Sequence, residues 1–192
     1  MLLEGVKVGF AMTGSFCTFA KTLPQIELLV KEGAEVFPIL SYAVNEFDTR
    51  FGKADDLKDS LIKITGKDPI TTIVGAEPIG PKGYLDILVV APCTGNTISK
   101  IANAITDGPV TMACKAHLRN QKPLVIGVST NDGLGANAKN IGILLNMKHI
   151  FMIPFGQDDP FKKCTSLVAD FDLLVPTVIE ALKNAQIQPM LK

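Results

Sequence analysis

Histidine is nearly absent from this sequence, since His117 and His149 are the only two, and they are far apart. The four cysteines, Cys17, Cys93, Cys114 and Cys164, form no CxxC pair. A zinc site needs clustered imidazoles or paired thiolates, so no metal site is expected. The cysteines fall in segments that read as buried or as polar turns, which argues against a disulfide framework and for a reducing compartment. Net charge is missing as well: 19 basic residues balance 19 acidic ones, so no bulk field draws the chain to nucleic acid or to an anionic membrane. Neither is expected as a partner. No run approaches the ~18 uninterrupted apolar residues of a membrane helix. The opening MLLEGVKVGFAM is broken by Glu4 and reads as a first strand, not a signal peptide, so a cytoplasmic protein is expected.

Two nucleotide motifs are also lacking. Gly9 and Gly14 are followed by Ser15-Phe16, without the Lys-Ser/Thr pair that grips ATP phosphates. The first turn has no GxGxxG, and Ser41 stands where a dinucleotide site would place an acid at the end of the second strand.

What the chain does have is apolar surface. It is 47% hydrophobic and only 20% charged, as expected for a parallel sheet covered on both faces or for large interfaces between copies of the chain. A homo-oligomer is therefore expected, built from one domain over residues 1–192. Val6 to Met12 reads as a strand ending at Thr13-Gly14-Ser15. Apolar residues at helical spacing follow through Ile26, Leu29 and Val30, Gly33 closes that helix, and Ala34 to Leu40 forms a parallel second strand.

Further along, Leu57, Leu61 and Ile64 mark a helix, and PITTIV at 69–74 reads as a strand. Leu85 to Ala91 predicts a strand, Pro92 to Asn96 a turn, and Thr97 to Thr106 a helix with Ile98, Ile101, Ala102 and Ile105 on one face. A helix over about Val110 to Asn120 leads to a strand at 124–129, then a helix at about 138–147 and a short strand Ile150 to Ile153. Pro154 to Lys163 reads as irregular because two prolines fall in it, and a last helix runs from near Pro176 to about Asn184. Alternating strands and helices predict a three-layer α/β/α sandwich with a mostly parallel sheet.

Such sheets bind ligands beyond the carboxyl ends of their strands, where helix N-termini point free amides outward. Three turns there are small and polar: Thr13-Gly14-Ser15, Thr94-Gly95-Asn96-Thr97, and Ser129-Thr130-Asn131-Asp132. Glycine admits a ligand close to the backbone, and hydroxyls and amides suit phosphate oxygens or a heterocycle edge. A second reading is that these residues only cap the helices that follow. Three together point to a phosphorylated mononucleotide such as FMN. Among other candidates, His117 reads as a helix-surface residue, Asp158-Asp159 as solvated carboxylates, and Lys162-Lys163 as a solvated loop or a lid that attracts an anion. Arg50, isolated between Phe47 and Phe51, is either a carboxylate ligand or a surface residue. No nucleophile-base pair stands out, so no catalytic residue is assigned.

The segments FAMTGSFCTFAK and APCTGNTISKIANAITDGP resemble signatures of the flavoprotein superfamily, which includes phosphopantothenoylcysteine decarboxylases and flavin prenyltransferases. NEFDTRFG, STNDGLG and IPFGQDDPFKK extend the resemblance to the B-subunit family of dipicolinate synthases over essentially the whole chain. The resemblance implies a Rossmann-like, flavodoxin-like sheet and an oligomer of three or more copies. It also implies an FMN site formed by Thr13, Gly14, Ser15, Ser41, Thr94, Gly95, Asn96, Thr97, Ser129 and Thr130. It implies a role in the mother cell of a sporulating bacterium, where a dihydrodipicolinate-type compound, or its hydroxytetrahydro precursor, becomes pyridine-2,6-dicarboxylate. The implied partner is the A subunit of dipicolinate synthase, carrying the NAD(P) site. Arg50, Lys100 and Lys162 are the cations put forward for the dicarboxylate. The decarboxylases' catalytic His and PAMN-type segment do not appear, and Ser129 stands where prenyltransferases carry an Arg. Those two activities are the enzymatic alternatives, and a non-catalytic scaffold for the A subunit is the third.

Overall fold

Runs of Val, Ile and Leu without polar alternation need cover on both faces. The computed structural model, which describes residues 1–192, places four such runs side by side. These are β1 (Lys7–Met12), β2 (Glu35–Leu40), β3 (Ile87–Cys93) and β4 (Leu124–Thr130). They lie parallel in the order β2-β1-β3-β4. Register runs from Lys7↔Glu35 to Met12↔Leu40 between β1 and β2, and from Val8↔Ile87 to Ala11↔Val90 between β1 and β3. β3 pairs with β4 from Leu88↔Leu124. The short β5 (Ile150–Met152) lies parallel to the start of β4.

Helix α1 (Phe19–Lys31) packs with α3 (Ala54–Thr65) and α9 (Leu174–Leu182). A second group joins α4 (Ile73–Ala76), α5 (Ile79–Lys82) and α6 (Gly95–Ala102) to α7 (Pro109–Leu118), with α8 (Ala138–Leu145) against α6. The helix α2 (Tyr42–Glu46) follows β2 directly. Between these layers a hydrophobic cluster of 45 buried residues includes Phe10, Met12, Leu88, Val89 and Ile126, all fully enclosed. Burying each such side chain contributes about 1.5–3 kcal/mol, which is why the strands hold despite their few charges. Gly33 closes α1 with φ +93°, the left-handed conformation expected of a helix-ending glycine.

Four segments differ from the sequence reading. The predicted strand at 69–74 reduces to one bridge, Ile39↔Ile70, because the Thr72 hydroxyl accepts from Gly75 N at 3.0 Å and starts α4 instead. β3 continues through Pro92 to Cys93, two residues into the predicted turn, with a register shift after Val90. Helix α6 therefore begins at Gly95 and ends at Ala102, and Ala104, at φ 57°, turns the chain away and leaves Ile105 exposed.

The fourth difference is the largest. Pro154 to Lys163 is not irregular: β6 (Phe155–Asp159) and β7 (Lys163–Ala169) form an antiparallel hairpin. Proline is costly only where its missing N–H interrupts a ladder, and Pro154 and Pro160 stand just outside the strands, one before β6 and one in the turn. The hairpin attaches to the end of β4 through Ser129↔Val168 and Thr130↔Leu167. A strand that is parallel to β5 at its start thus becomes antiparallel to β7 at its tip, which builds a wall beside the carboxyl ends of the sheet.

Candidate functional site

Because β1, β3 and β4 are adjacent and parallel, the turns that leave them converge at one edge of the sheet. Thr13, buried between the first two turns, ties them together: its hydroxyl donates to Pro92 O at 2.7 Å and accepts from Thr94 N at 2.9 Å. The first and third turns meet where the hydroxyls of Ser15 and Ser129 lie 2.7 Å apart. The second and third meet at Gly95. A Cβ there would lie 2.5 Å from Thr130 Oγ1, 2.6 Å from Asn137 Nδ2 and 2.6 Å from Asp132 Oδ1, so only glycine fits this approach.

Asp132 is held from both sides. Thr130 donates to its Oδ1 at 2.5 Å and Asn137 to its Oδ2 at 2.7 Å, and the chain of amides continues from Asn140 to Asn137 at 2.8 Å. Networks satisfied at every member are rigid, which fixes the third turn without help from a ligand.

The turns form the floor of an open crevice of about 820 Å³. One wall comes from the segment leading into α1 and from its first turn, with Cys17, Thr18 and Lys21, and the other from the hairpin, with Asp158, Lys163 and Ser166. Gly14, Ser15, Thr94, Gly95, Asn96, Ser129 and Thr130 line it. Thr13 and Thr97 stand behind the lining: Thr97 N donates to Thr94 Oγ1 at 3.4 Å, capping α6. Ser41 is outside the crevice and caps α2, accepting from Val44 N at 3.4 Å.

Capping therefore explains Thr94 and Ser41 but not the other turns. Ser15 makes no cap, and Thr130 reaches Asp132. These residues line the crevice together with Asn96, whose side-chain amide makes no hydrogen bond within the chain.

The three cations put forward for a dicarboxylate do not line this crevice. Lys100 is paired with Asp107 at 2.8 Å, the Arg50 guanidinium lies 4.8 Å from the Phe51 ring centre, and Lys162 sits in the hairpin turn with its N–H on Asp159 Oδ1. The cations that do line it are Lys21 and Lys163. The sequence does not single out Lys21, Cys17 and Thr18 as site residues, because they read as an ordinary helix start after the first turn; their signals are membership of FAMTGSFCTFAK and the spacing of Thr18 and Lys21 by one helical turn.

His117 also differs from its reading as a surface residue. It is buried, and its Nε2 lies 3.0 Å from Pro123 O. Burial pushes its pKa down to about 4. The ring is thus neutral at neutral pH, and since a carbonyl can only accept, Nε2 carries the hydrogen. Burial likewise pushes the Cys114 thiol up to about 12 and the Cys93 thiol well above its ordinary value, so neither is a nucleophile. Beside the crevice and sharing Cys17 with it lies an apolar cavity of about 300 Å³, walled by Phe16, Phe19, Phe47 and Phe51. No helix is long and apolar enough to cross a membrane.

Comparison with known proteins agrees with this architecture. A family model described as Flavoprotein matches residues 2–183. The B subunit of dipicolinate synthase from Bacillus subtilis (strain 168) is 52% identical over 189 residues, which is 98% of this chain and 94% of that protein. The crystal structure of the dipicolinate synthase B subunit from Bacillus halodurans matches at a TM-score of 0.92 and 48% identity, covering 100% of this chain and 98% of that one. Burkholderia xenovorans DmrB, solved in complex with FMN, shares the fold at a TM-score of 0.69 and 19% identity, covering 93% of this chain and 96% of its own. With the family model spanning nearly every residue and about half the positions identical to such a relative, the chain belongs to the Flavoprotein family and, within it, to the family of dipicolinate synthase B subunits.

Proposed function

We propose that the chain is the flavin-binding component of an oxidoreductase that aromatises a dihydropyridine dicarboxylate to pyridine-2,6-dicarboxylate. The observation that carries this reading is the convergence of three hydroxyl-rich turns on one crevice in a chain related to dipicolinate synthase B subunits. The donor set fits FMN. The Ser15–Ser129 pair keeps one hydroxyl hydrogen to donate, Asn96 offers an amide, and the start of α6 offers free backbone N–H groups, which together suit a phosphate monoester, while Thr130, whose hydrogen is on Asp132, shapes the wall. The absence of a Walker lysine and of a ribose-binding acid favours a mononucleotide over ATP or NAD.

Bound FMN supplies a two-electron acceptor. The chain's own task is to position the substrate ring and to offset the substrate's two carboxylate charges. Ser15 and Ser129, fixed on each other, hold the cofactor side of the crevice, with the Asn96 amide beside them at the α6 terminus. Much of the driving force comes from the aromaticity gained by the substrate. The partner in this reading is the nucleotide-dependent, dehydrogenase-like A subunit, which carries NAD(P), and the setting is the cytoplasm of a sporulating mother cell. Exposed Phe47 and Phe51 beside the apolar cavity support assembly of several copies.

The reaction is tested by mixing the FMN-loaded chain with the dihydropyridine dicarboxylate in the absence of oxygen. Loss of the oxidised flavin's visible absorption, matched mole for mole by pyridine-2,6-dicarboxylate, is expected. Product formed by the mixture with the A subunit, with no flavin in this chain and no bleaching when flavin is added, would leave this chain as a scaffold.

A further inference from the structure

The crevice contains two cations whose surroundings differ. Lys21, on α1, makes no ion pair. Lys163, at the start of β7, donates to Asp158 Oδ2 at 2.6 Å. No other cation lines the crevice, and its remaining carboxylate, Asp132, is already engaged by Thr130 and Asn137.

The hairpin explains how Asp158 comes to face Lys163. Register shifts between Gln157 and Asp159, so Asp158 has no cross-strand partner, and irregularities of this kind re-aim a side chain beside a site. The pair is half open to solvent, with side-chain exposures of 59% for Lys163 and 35% for Asp158. Ion pairs this exposed contribute little and are broken easily. An entering carboxylate offers Lys163 the same contact that Asp158 gives it.

We propose that Lys21 and Lys163 form a clamp for a small dianion, one carboxylate to each ammonium, and that Asp158 occupies the Lys163 half until the dianion arrives. The clamp deepens the dicarboxylate reading above and rests on it. Two mobile point charges from separate walls, α1 and the hairpin, suit two carboxylates held apart by a flat ring. The two ammoniums give the site its selectivity: a monoanion gains only the unpaired Lys21, whereas a dianion also gains Lys163 once it displaces Asp158.

Calorimetric titration of the full chain with pyridine-2,6-dicarboxylate in metal-free buffer, and with pyridine-2-carboxylate for comparison, tests the clamp. Lys21→Gln and Lys163→Gln are each expected to weaken the dianion roughly ten- to hundredfold, the range of a lost charge-assisted hydrogen bond. Asp158→Asn is expected to tighten it by up to about fivefold, since only an exposed pair is removed. In all three variants the preference for the dianion over the monoanion moves in the same direction as the affinity. Unchanged affinity in either lysine variant, weaker binding in Asp158→Asn, or no binding by the wild type overturns the clamp. The oxidoreductase reading is judged separately by the anaerobic bleaching: a wild type that bleaches while its lysine variants bind normally keeps that reading and loses the clamp. A chain that titrates as expected but never bleaches loses that reading and keeps the clamp.

Discussion

Replacing Gly95 with alanine is expected to abolish flavin binding and to cost about 2–3 kcal/mol of folding stability, the upper part of the range for overpacking a filled site. A methyl group at this position meets three polar atoms at once, Thr130 Oγ1, Asn137 Nδ2 and Asp132 Oδ1, all at 2.5–2.6 Å. Moving any one of them alone gives no relief, because Asp132 binds both of the others. The whole third turn must retreat from the start of α6, taking Ser129 away from Ser15. Urea unfolding measures the stability term, and flavin fluorescence the binding. Gly14→Ala is the control, since its added methyl would find its nearest neighbour, the Phe16 ring, at 3.4 Å and no left-handed backbone to strain. It should fold like the wild type, and an equal loss of stability in both variants would show that the contact at Gly95 is not the cause.

The second large effect is a loss of stability in mild acid caused by His117. Its folded pKa of about 4 lies below the ordinary 6.5 because the ring is buried. Between those values the unfolded chain takes up a proton that the folded chain refuses, so acid favours unfolding. The stabilisation is complete above pH 6.5 and falls by about 1.4 kcal/mol per pH unit until the folded ring also titrates, on the order of 3 kcal/mol in all. The window from about pH 6.5 to 5 isolates it. Carboxylates held low by lysines, Glu35 by Lys67 and Asp170 by Lys192, contribute in the opposite sense of ionisation and lose their stabilisation only at lower pH. Urea midpoints measured across this window should slope for the wild type and flatten for His117→Gln, which removes the titrating ring and keeps a donor for Pro123 O. A slope that persists in the variant would assign the acid sensitivity elsewhere.

Much of this architecture could be read from the residues, for a reason visible in β1, β3 and β4. Strands covered on both faces are continuous apolar runs, and the polar turns that end them stand out against that background. Seven of the proposed cofactor residues line the crevice for the same reason. The hairpin was not legible because its residues, FGQDD and KCTSLVA, are polar at the tip, and its two prolines read as interruptions when they are boundaries. With the hairpin went one wall of the site, including the Asp158–Lys163 pair.

Arg50 and Lys100 illustrate a second limit. Isolation between aromatics or proximity to a signature segment gives a cation no direction, and the structure shows one over Phe51 and the other bound to Asp107. His117 illustrates a third: a helix with apolar residues on most sides gives little indication of which face is outward, and α7 buries Ala113, Cys114, Ala116 and His117 alike.

The central claim is that the three turns form a flavin site, and titration of the purified chain with FMN, followed by visible absorption and flavin fluorescence, tests it most directly. The account predicts saturable binding by the wild type and at least about tenfold weaker binding by Asn96→Ala, which removes one side-chain hydrogen bond from the cofactor at the α6 terminus. No binding by a wild type shown to be folded, or equal binding by the variant, would contradict it.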